Sequence, residues 1–131
     1  MIYALWIMKE NGENVFFNSY EKDGKVNYSL VSGLLTAIKM FAKDVSGEDA
    51  SWITLENKTF VYKVTREGYL VLYVDEKEKV DDVFDRLEEA FLSAESGEEL
   101  AKKVDEIIMK YNRRVRLEKL GDILRKAGGL P

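Results

Sequence analysis

Five carboxylates in the second half of the chain have a spacing that could support acid–base catalysis. They recur at helical intervals, opposite the apolar stripe of a predicted helix: Asp81, Asp82, Asp85, Glu88 and Glu89. A catalytic pair needs carboxylates that converge in a pocket and have different pKa values. A solvated helix face provides neither condition, so we predict that these carboxylates form an exposed surface rather than an active site.

The composition removes most other catalytic chemistry. The 131 residues include no Cys and no His, which excludes thiol nucleophiles, Cys/His zinc sites and a Ser-His-Asp triad. The sequence also contains neither of the common Gly-rich phosphate-binding motifs, and no Asp-x-Asp-x-Asp-Gly calcium loop. We therefore expect a non-enzymatic protein with no cofactor and no bound metal.

A basic segment near the C-terminus is the most distinctive chemical feature. It has seven bases and two acids, a charge of +5, against −9 for residues 1–109; the bases are Lys110, Arg113, Arg114, Arg116, Lys119, Arg125 and Lys126. The segment could bind the acidic helix of its own chain or of a second copy, or dock a partner protein. It could also contact anionic lipid or nucleic acid. Nucleic acid is disfavoured because no aromatic side chains interleave with the bases beyond Tyr111.

The apolar stripe of the last predicted helix changes direction inside this segment. Leu117, Leu120 and Leu124 lie roughly 120° to 180° around the helix from Tyr111, where the earlier stripe ends, at about 100° per residue. One unbroken helix over residues 98–126 would be roughly 43 Å long, whereas a globule of this length is about 36 Å across. The segment therefore either projects or turns at Gly121 and packs back.

Small residues along one flank of the first predicted helix suggest an interaction surface. This helix follows Asn27 and ends near Lys43. The flank carries Ser29, Ser32, Gly33 and Thr36, with Met40 below them. Small side chains let another backbone approach closely, either from a partner or from the chain's own sheet. Gly inside a helix costs about 1 kcal/mol relative to Ala, so a packing reason is expected for it.

The third predicted strand, residues 51–56, is a second candidate surface. Edge strands expose unpaired backbone groups, and proteins either protect them or use them for pairing. Trp52 and Thr54 share one face of this strand. Trp52 could anchor a contact or lie in the core. We expect a homodimer through this edge or through the first helix.

Hydrophobic periodicity predicts the order ββαβββαα. The strands span residues 2–8, 15–19, 51–56, 59–65 and 69–74, with a hairpin turn at Asn11-Gly12. The first and fifth strands are almost wholly apolar, which is typical of central strands, and the second and third are predicted to be edges. The fold class is α/β or α+β, with a five-stranded antiparallel sheet between one helix on one face and two on the other.

The N-terminal run MIYALWIM lacks a basic region and a cleavage site, so it is predicted to be a strand rather than a signal peptide. No apolar stretch is long enough to span a bilayer. We expect a cytoplasmic protein. Abundant Glu and Lys without Cys or Gln is typical of thermophilic sources.

The succession over residues 1–111 resembles the longin domain and, more widely, the roadblock and profilin-like group. The segments that carry the resemblance are MIYALWIMKENGENVFF, LVSGLLTAIKMFAKDV and WITLENKTFVYKVTREGYLVLYVDEKEKVDD. The most family-like pattern is Ser32-Gly33 followed by Ala37-Ile38 and Phe41. The chain would then be an archaeal stand-alone longin-like domain, with residues 112–131 as a basic helical extension.

The resemblance implies an interaction scaffold, because longin and roadblock domains share no catalytic residues. They serve in trafficking complexes and as dimeric scaffolds that bind or regulate small GTPases. We expect a module that self-associates and binds a small GTPase or a subunit of a larger complex. The alternative is a peripheral module that binds anionic membrane, nucleic acid or a small ligand through its basic segment.

Overall fold

A five-stranded antiparallel sheet forms the centre of the protein. The computed structural model describes residues 1–9, 11, 13–20, 36, 52–54, 57–65, 68–75 and 79–128. The strands are β1 (Ile2–Lys9), β2 (Asn14–Ser19), β3 (Trp52–Thr54), β4 (Lys58–Val64) and β5 (Gly68–Asp75). Their spatial order is β2-β1-β5-β4-β3, and all neighbours are antiparallel. The predicted α+β class is confirmed, with β1 and β5 inside the sheet and β2 and β3 at its edges.

The central position of β1 explains its uninterrupted apolar sequence. Residues 2–8 are buried except for the half-buried Tyr3, and the two faces of the sheet contribute to separate apolar clusters. Leu5 and Ile7 belong to the cluster under the helices, whereas Trp6 and Met8 belong to the cluster on the other face. A strand that is buried on both faces is apolar throughout, so its sequence does not alternate between polar and apolar residues.

The first hairpin forms where Asn11-Gly12 predicts it. The Lys9 N–H donates to the Glu13 carbonyl at 2.9 Å, and the Asn11 side chain accepts from the Glu13 N–H at 3.0 Å. The register of β1 with β2 shifts between Ile7 and Met8, so that the strand pair contains a bulge.

The meander β3-β4-β5 is also confirmed. The turn into β5 brings Gly68 against the backbone of β1, where it pairs with Lys9. A Cβ at Gly68 would collide with the Met8 carbonyl oxygen and lie 2.9 Å from the Lys9 Cα. This close approach explains the glycine at the start of a buried strand.

Two helices, α1 (Asp81–Ser93) and α2 (Gly97–Ala127), pack on one face of the sheet. Each sends one apolar stripe into the core, including Leu87 of α1 and Val104 and Ile108 of α2. Asp81 and Asp82 occupy the first turn of α1, where carboxylates interact favourably with the helix dipole.

Local hydrogen bonds define the start of α2. The Ser96 hydroxyl accepts from the Glu99 N–H, and the Glu99 carboxylate accepts from the Glu95 N–H, both at 3.1 Å. A hydrogen bond from Lys103 and the Glu95 N–H lower the pKa of Glu99. The first contact satisfies an N–H group that the first turn leaves without a helical partner, and the second holds the residue that precedes the N-cap.

The helix α2 continues without interruption through Gly121 to Ala127, 31 residues in all. The alternative of a turn at Gly121 that packs the segment back is therefore wrong. At 1.5 Å per residue the helix is about 46 Å long. From Arg116 to Ala127 every residue is exposed except the half-buried Gly121. We call residues 116–127 the exposed end of α2.

The first predicted helix, around residues 27–43, lies outside the described residues except for Thr36, which is helical and half-buried. The arrangement of one helix on one face and two on the other therefore stays a prediction. Within the part of the chain that the structure describes, no helix is long and apolar enough to cross a membrane.

Candidate interaction surface

All seven bases singled out in the sequence lie exposed on α2. Lys110, Arg113 and Arg114 flank the buried Tyr111 and Asn112, and Arg116, Lys119, Arg125 and Lys126 lie on the exposed end of the helix. They occupy several sides of the helix because they are not spaced at three or four residues throughout. The bases therefore surround the helix rather than forming one stripe.

The exposed end of α2 also carries large apolar side chains. Leu117, Leu120 and Leu124 follow at intervals of three and four residues, so they lie along one side of the helix, with Ile123 beside them. These four side chains are 50–61% exposed. A cluster of exposed leucines framed by charge is typical of a surface that another molecule covers.

A small basic cleft lies between α1 and α2, next to the point where the exposed end of α2 begins. It has a volume of about 80 Å³, and its charged lining consists of Arg86, Lys110, Arg114 and Asp82. The Arg114 guanidinium lies over the Tyr111 ring, 5.8 Å from its centroid. The cleft extends the positive surface of α2 onto α1.

The five carboxylates of α1 do not converge. Asp81, Asp82, Asp85 and Glu89 are exposed and Glu88 is half-buried, which agrees with the predicted surface. Lys63 of β4 pairs with Asp85 at 3.3 Å and with Glu88 at 3.7 Å. In the described ranges, no group of three or more acidic side chains has the geometry to hold a metal ion.

These carboxylates frame a shallow groove on the outer side of α1. Its lining residues are Asp85, Glu88, Glu89, Leu92 and Ser93. Leu92 is 69% exposed, so an apolar side chain lies among acids. We call this the acidic groove.

The edge strand β3 presents Trp52 and Thr54 to solvent. Trp52 is 66% exposed, so the alternative in which Trp52 lies in the core is wrong. Its strand pairs with β4 on one side only. Of the small-residue flank, Thr36 is half-buried, and the rest lies outside the described residues: Ser29, Ser32, Gly33 and Met40.

One buried residue on α2 was missed by the sequence analysis. The Asn112 side chain accepts from the Ile2 N–H at 2.7 Å and donates to the Ile2 carbonyl at 2.8 Å, and it is 3% exposed. It fixes α2 to the start of β1. Its signal in the sequence is its interval of four residues from Ile108, which places it on the core stripe.

A second polar contact fixes α2 to the end of β2. Asp105 accepts from the Tyr20 hydroxyl at 2.8 Å and from the Asn18 amide at 2.9 Å. Burial, and then Asp105, raise the pKa of Tyr20 well above its ordinary value. With Asn112, these bonds hold the first half of α2, and the exposed end extends from this rigid base.

No protein-family model matches the sequence, and the search of curated proteins finds no match.

Proposed function

We propose that the chain is a non-enzymatic protein-interaction module that binds an acidic protein surface through the exposed end of α2. The observation that carries this proposal is the set of exposed leucines in a basic helical segment anchored to the domain. Exposing Leu117, Leu120 and Leu124 together is unfavourable without a partner, since burying one leucine contributes about 2 kcal/mol. The bases would orient an acidic partner and the leucines would bind it.

The anchoring of α2 supports this use of the helix. An isolated helix of 12 residues is marginally stable in water. Here the exposed end continues a helix that Asn112 and Asp105 fix to the sheet. The segment is thus held as a helix before binding, which reduces the entropy lost on association.

The resemblance of residues 1–111 to longin and roadblock domains favours a small GTPase or a complex subunit as one such partner. The exposed Trp52 on β3 offers a second contact, by strand addition or between copies of the chain. An assembly that used both surfaces would be a scaffold, in keeping with the absence of convergent carboxylates on α1.

An anionic membrane is the second candidate, favoured by the same leucines beside bases. The exposed end contains Glu118 and Asp122 and no aromatic residue, and the body of the protein is acidic. These features would weaken binding to an anionic surface. We therefore place the protein partner first.

Binding of the full chain to purified small GTPases from the same organism, in both nucleotide states, tests the proposal. Phosphatidylserine vesicles serve as the lipid arm. We expect binding to a protein that falls at least tenfold with Leu120→Asp and is unchanged by Val64→Asp, a control on β4. The chain's own self-association counts as protein binding in this test. Salt-sensitive binding to vesicles alone would overturn the proposal.

A further inference from the structure

The exposed end of α2 cannot reach the acidic groove of its own chain. Asp82 lies in the same cleft as Lys110 and Arg114, so the start of α1 is level with this part of α2. Leu92 then lies about 15 Å away along α1, and Leu124 about 20 Å away in the opposite direction along α2. The two apolar side chains are therefore roughly 35 Å apart, and α2 is unbroken, so its end does not fold back towards the groove.

The charges of the two surfaces are complementary. The α1 helix has five carboxylates and one base, and the exposed end of α2 has four bases and two acids. Lys63 neutralises part of the negative charge of the groove, because it pairs with Asp85 and Glu88. No base pairs with Glu89 among the residues that the structure describes. The groove therefore keeps a negative charge that a positive helix would neutralise.

The apolar parts of the two surfaces are complementary as well. Leu92 lies exposed among the acids of the groove, as Leu120 and Leu124 lie exposed among the bases of α2. Pairing of the exposed ends with each other would also bury leucines, but it would bring two positive segments together. Docking into the acidic groove buries the same leucines and brings opposite charges together.

We propose that the occupant of the acidic groove is the exposed end of α2 from a second copy of this chain. The proposed contact is reciprocal: the helix end of each chain lies in the groove of the other, which closes the assembly as a twofold dimer. Met109 lies on the same side of α2 as Leu120, since 11 residues make three turns and about 20°. It is 63% exposed and joins the surface that the dimer covers.

The inference rests on the proposed function and names its partner. Sedimentation equilibrium of the full chain tests it, and we expect a mass of two chains at micromolar concentration in 50 mM salt. Dissociation should increase in 500 mM salt, because the interface pairs opposite charges. Leu124→Asp and Leu92→Asp should each weaken the dimer at least tenfold. Val64→Asp, with a comparably exposed side chain on β4, is the matched control and should leave the dimer intact.

A charge exchange makes the test specific for the two surfaces. The first variant carries Lys119→Glu and Lys126→Glu, and the second carries Asp85→Lys and Glu89→Lys. Each variant alone has like charges at both contacts and should be monomeric. Their mixture has opposite charges at both contacts, so it should form a dimer with one chain of each kind. Circular dichroism of each variant verifies its folding.

Three outcomes would overturn the inference. They are a monomer at 100 µM in low salt, a dimer that resists both aspartate substitutions, and a mixture of the charge variants that stays monomeric. If the wild type is monomeric but its α2 end binds a GTPase, the inference fails and the proposed function stands. If the chain also binds no GTPase and binds only vesicles, both fail.

Discussion

Asn112 shows how one residue fixes the element that carries the candidate surface. Its side-chain amide makes two hydrogen bonds with the backbone of Ile2 across 110 residues of sequence. The interval from Ile108 places Asn112 on the core stripe, but the sequence could not reveal its role, because a single Asn near the end of an apolar stripe resembles the polar boundary of the stripe. Only the backbone of β1, brought there by the fold, gives the amide its partners.

Replacing Asn112 with Ala should lower the free energy of unfolding by about 3 kcal/mol. The substitution leaves a buried N–H and a buried carbonyl of Ile2 without partners, and each such group costs about 1–3 kcal/mol. Denaturation by guanidinium chloride, followed by circular dichroism, measures the change. Arg113→Ala, at an exposed neighbour, is the control and should stay within about 0.5 kcal/mol of wild type. An equal effect of the two substitutions would contradict the role of Asn112.

A second single residue, Asp75, makes the stability of the protein depend on pH. Burial raises the pKa of Asp75, but a hydrogen bond from Tyr3 at 2.8 Å, the terminal ammonium of Met1 and Lys58 outweigh it and lower the pKa below 3.8. A lowered pKa in the folded state stabilises the protein above about pH 4, and this stability is lost as the pH falls through the folded-state pKa. Asp75→Asn should therefore destabilise the protein by about 1 kcal/mol at pH 7.

The difference between wild type and Asp75→Asn should shrink below pH 4. Thermal unfolding from pH 2 to pH 7 measures it. Glu106→Gln is the control, because Glu106 is exposed in the interior of α2, away from the helix ends. A difference that stays constant down to pH 2 would show that the charge of Asp75 contributes nothing.

Among the secondary-structure elements, the sequence best predicted those whose position in the fold depends on burial alone. The apolar runs of β1 and β5 indicated interior strands, and the structure places them side by side. The course of α2 could not be predicted in the same way. Gly121 costs about 1 kcal/mol in a helix, whereas most of its neighbours favour helix, so the sequence was compatible both with a turn and with an unbroken helix. The structure shows that helix propensity prevails.

Gly68 gives a prediction about the pairing of β1 and β5. Gly68→Ala should destabilise the protein by at least about 2 kcal/mol, because the added Cβ collides with the backbone at Met8 and Lys9. Gly97→Ala is the matched control: no atom lies within 4 Å of its Cβ, at the first residue of α2. Chemical denaturation should separate the two variants, and a neutral Gly68→Ala would contradict the close approach of the strands.

The whole molecule combines a compact sheet with one helix that extends beyond it. Overall composition concealed this division, because a net charge of −4 is the sum of an acidic body and a basic segment. The sequence located the charges, but it could not place them in space. The position of the acidic groove depends on how α1 lies beside β4, where Lys63 pairs with Asp85 and Glu88. The separation of the groove from the basic end depends on the unbroken α2.

Pairing of α2 from one copy with the acidic groove of another is the central claim, and cysteine crosslinking tests it most directly. The chain contains no Cys, so a disulfide can form only between introduced thiols. Leu92→Cys and Leu124→Cys variants, mixed under mild oxidation, should form a covalent dimer of one chain of each variant much faster than either variant forms one alone. Faster crosslinking of Leu124→Cys with itself would show that the exposed ends pair with each other, and it would contradict the account.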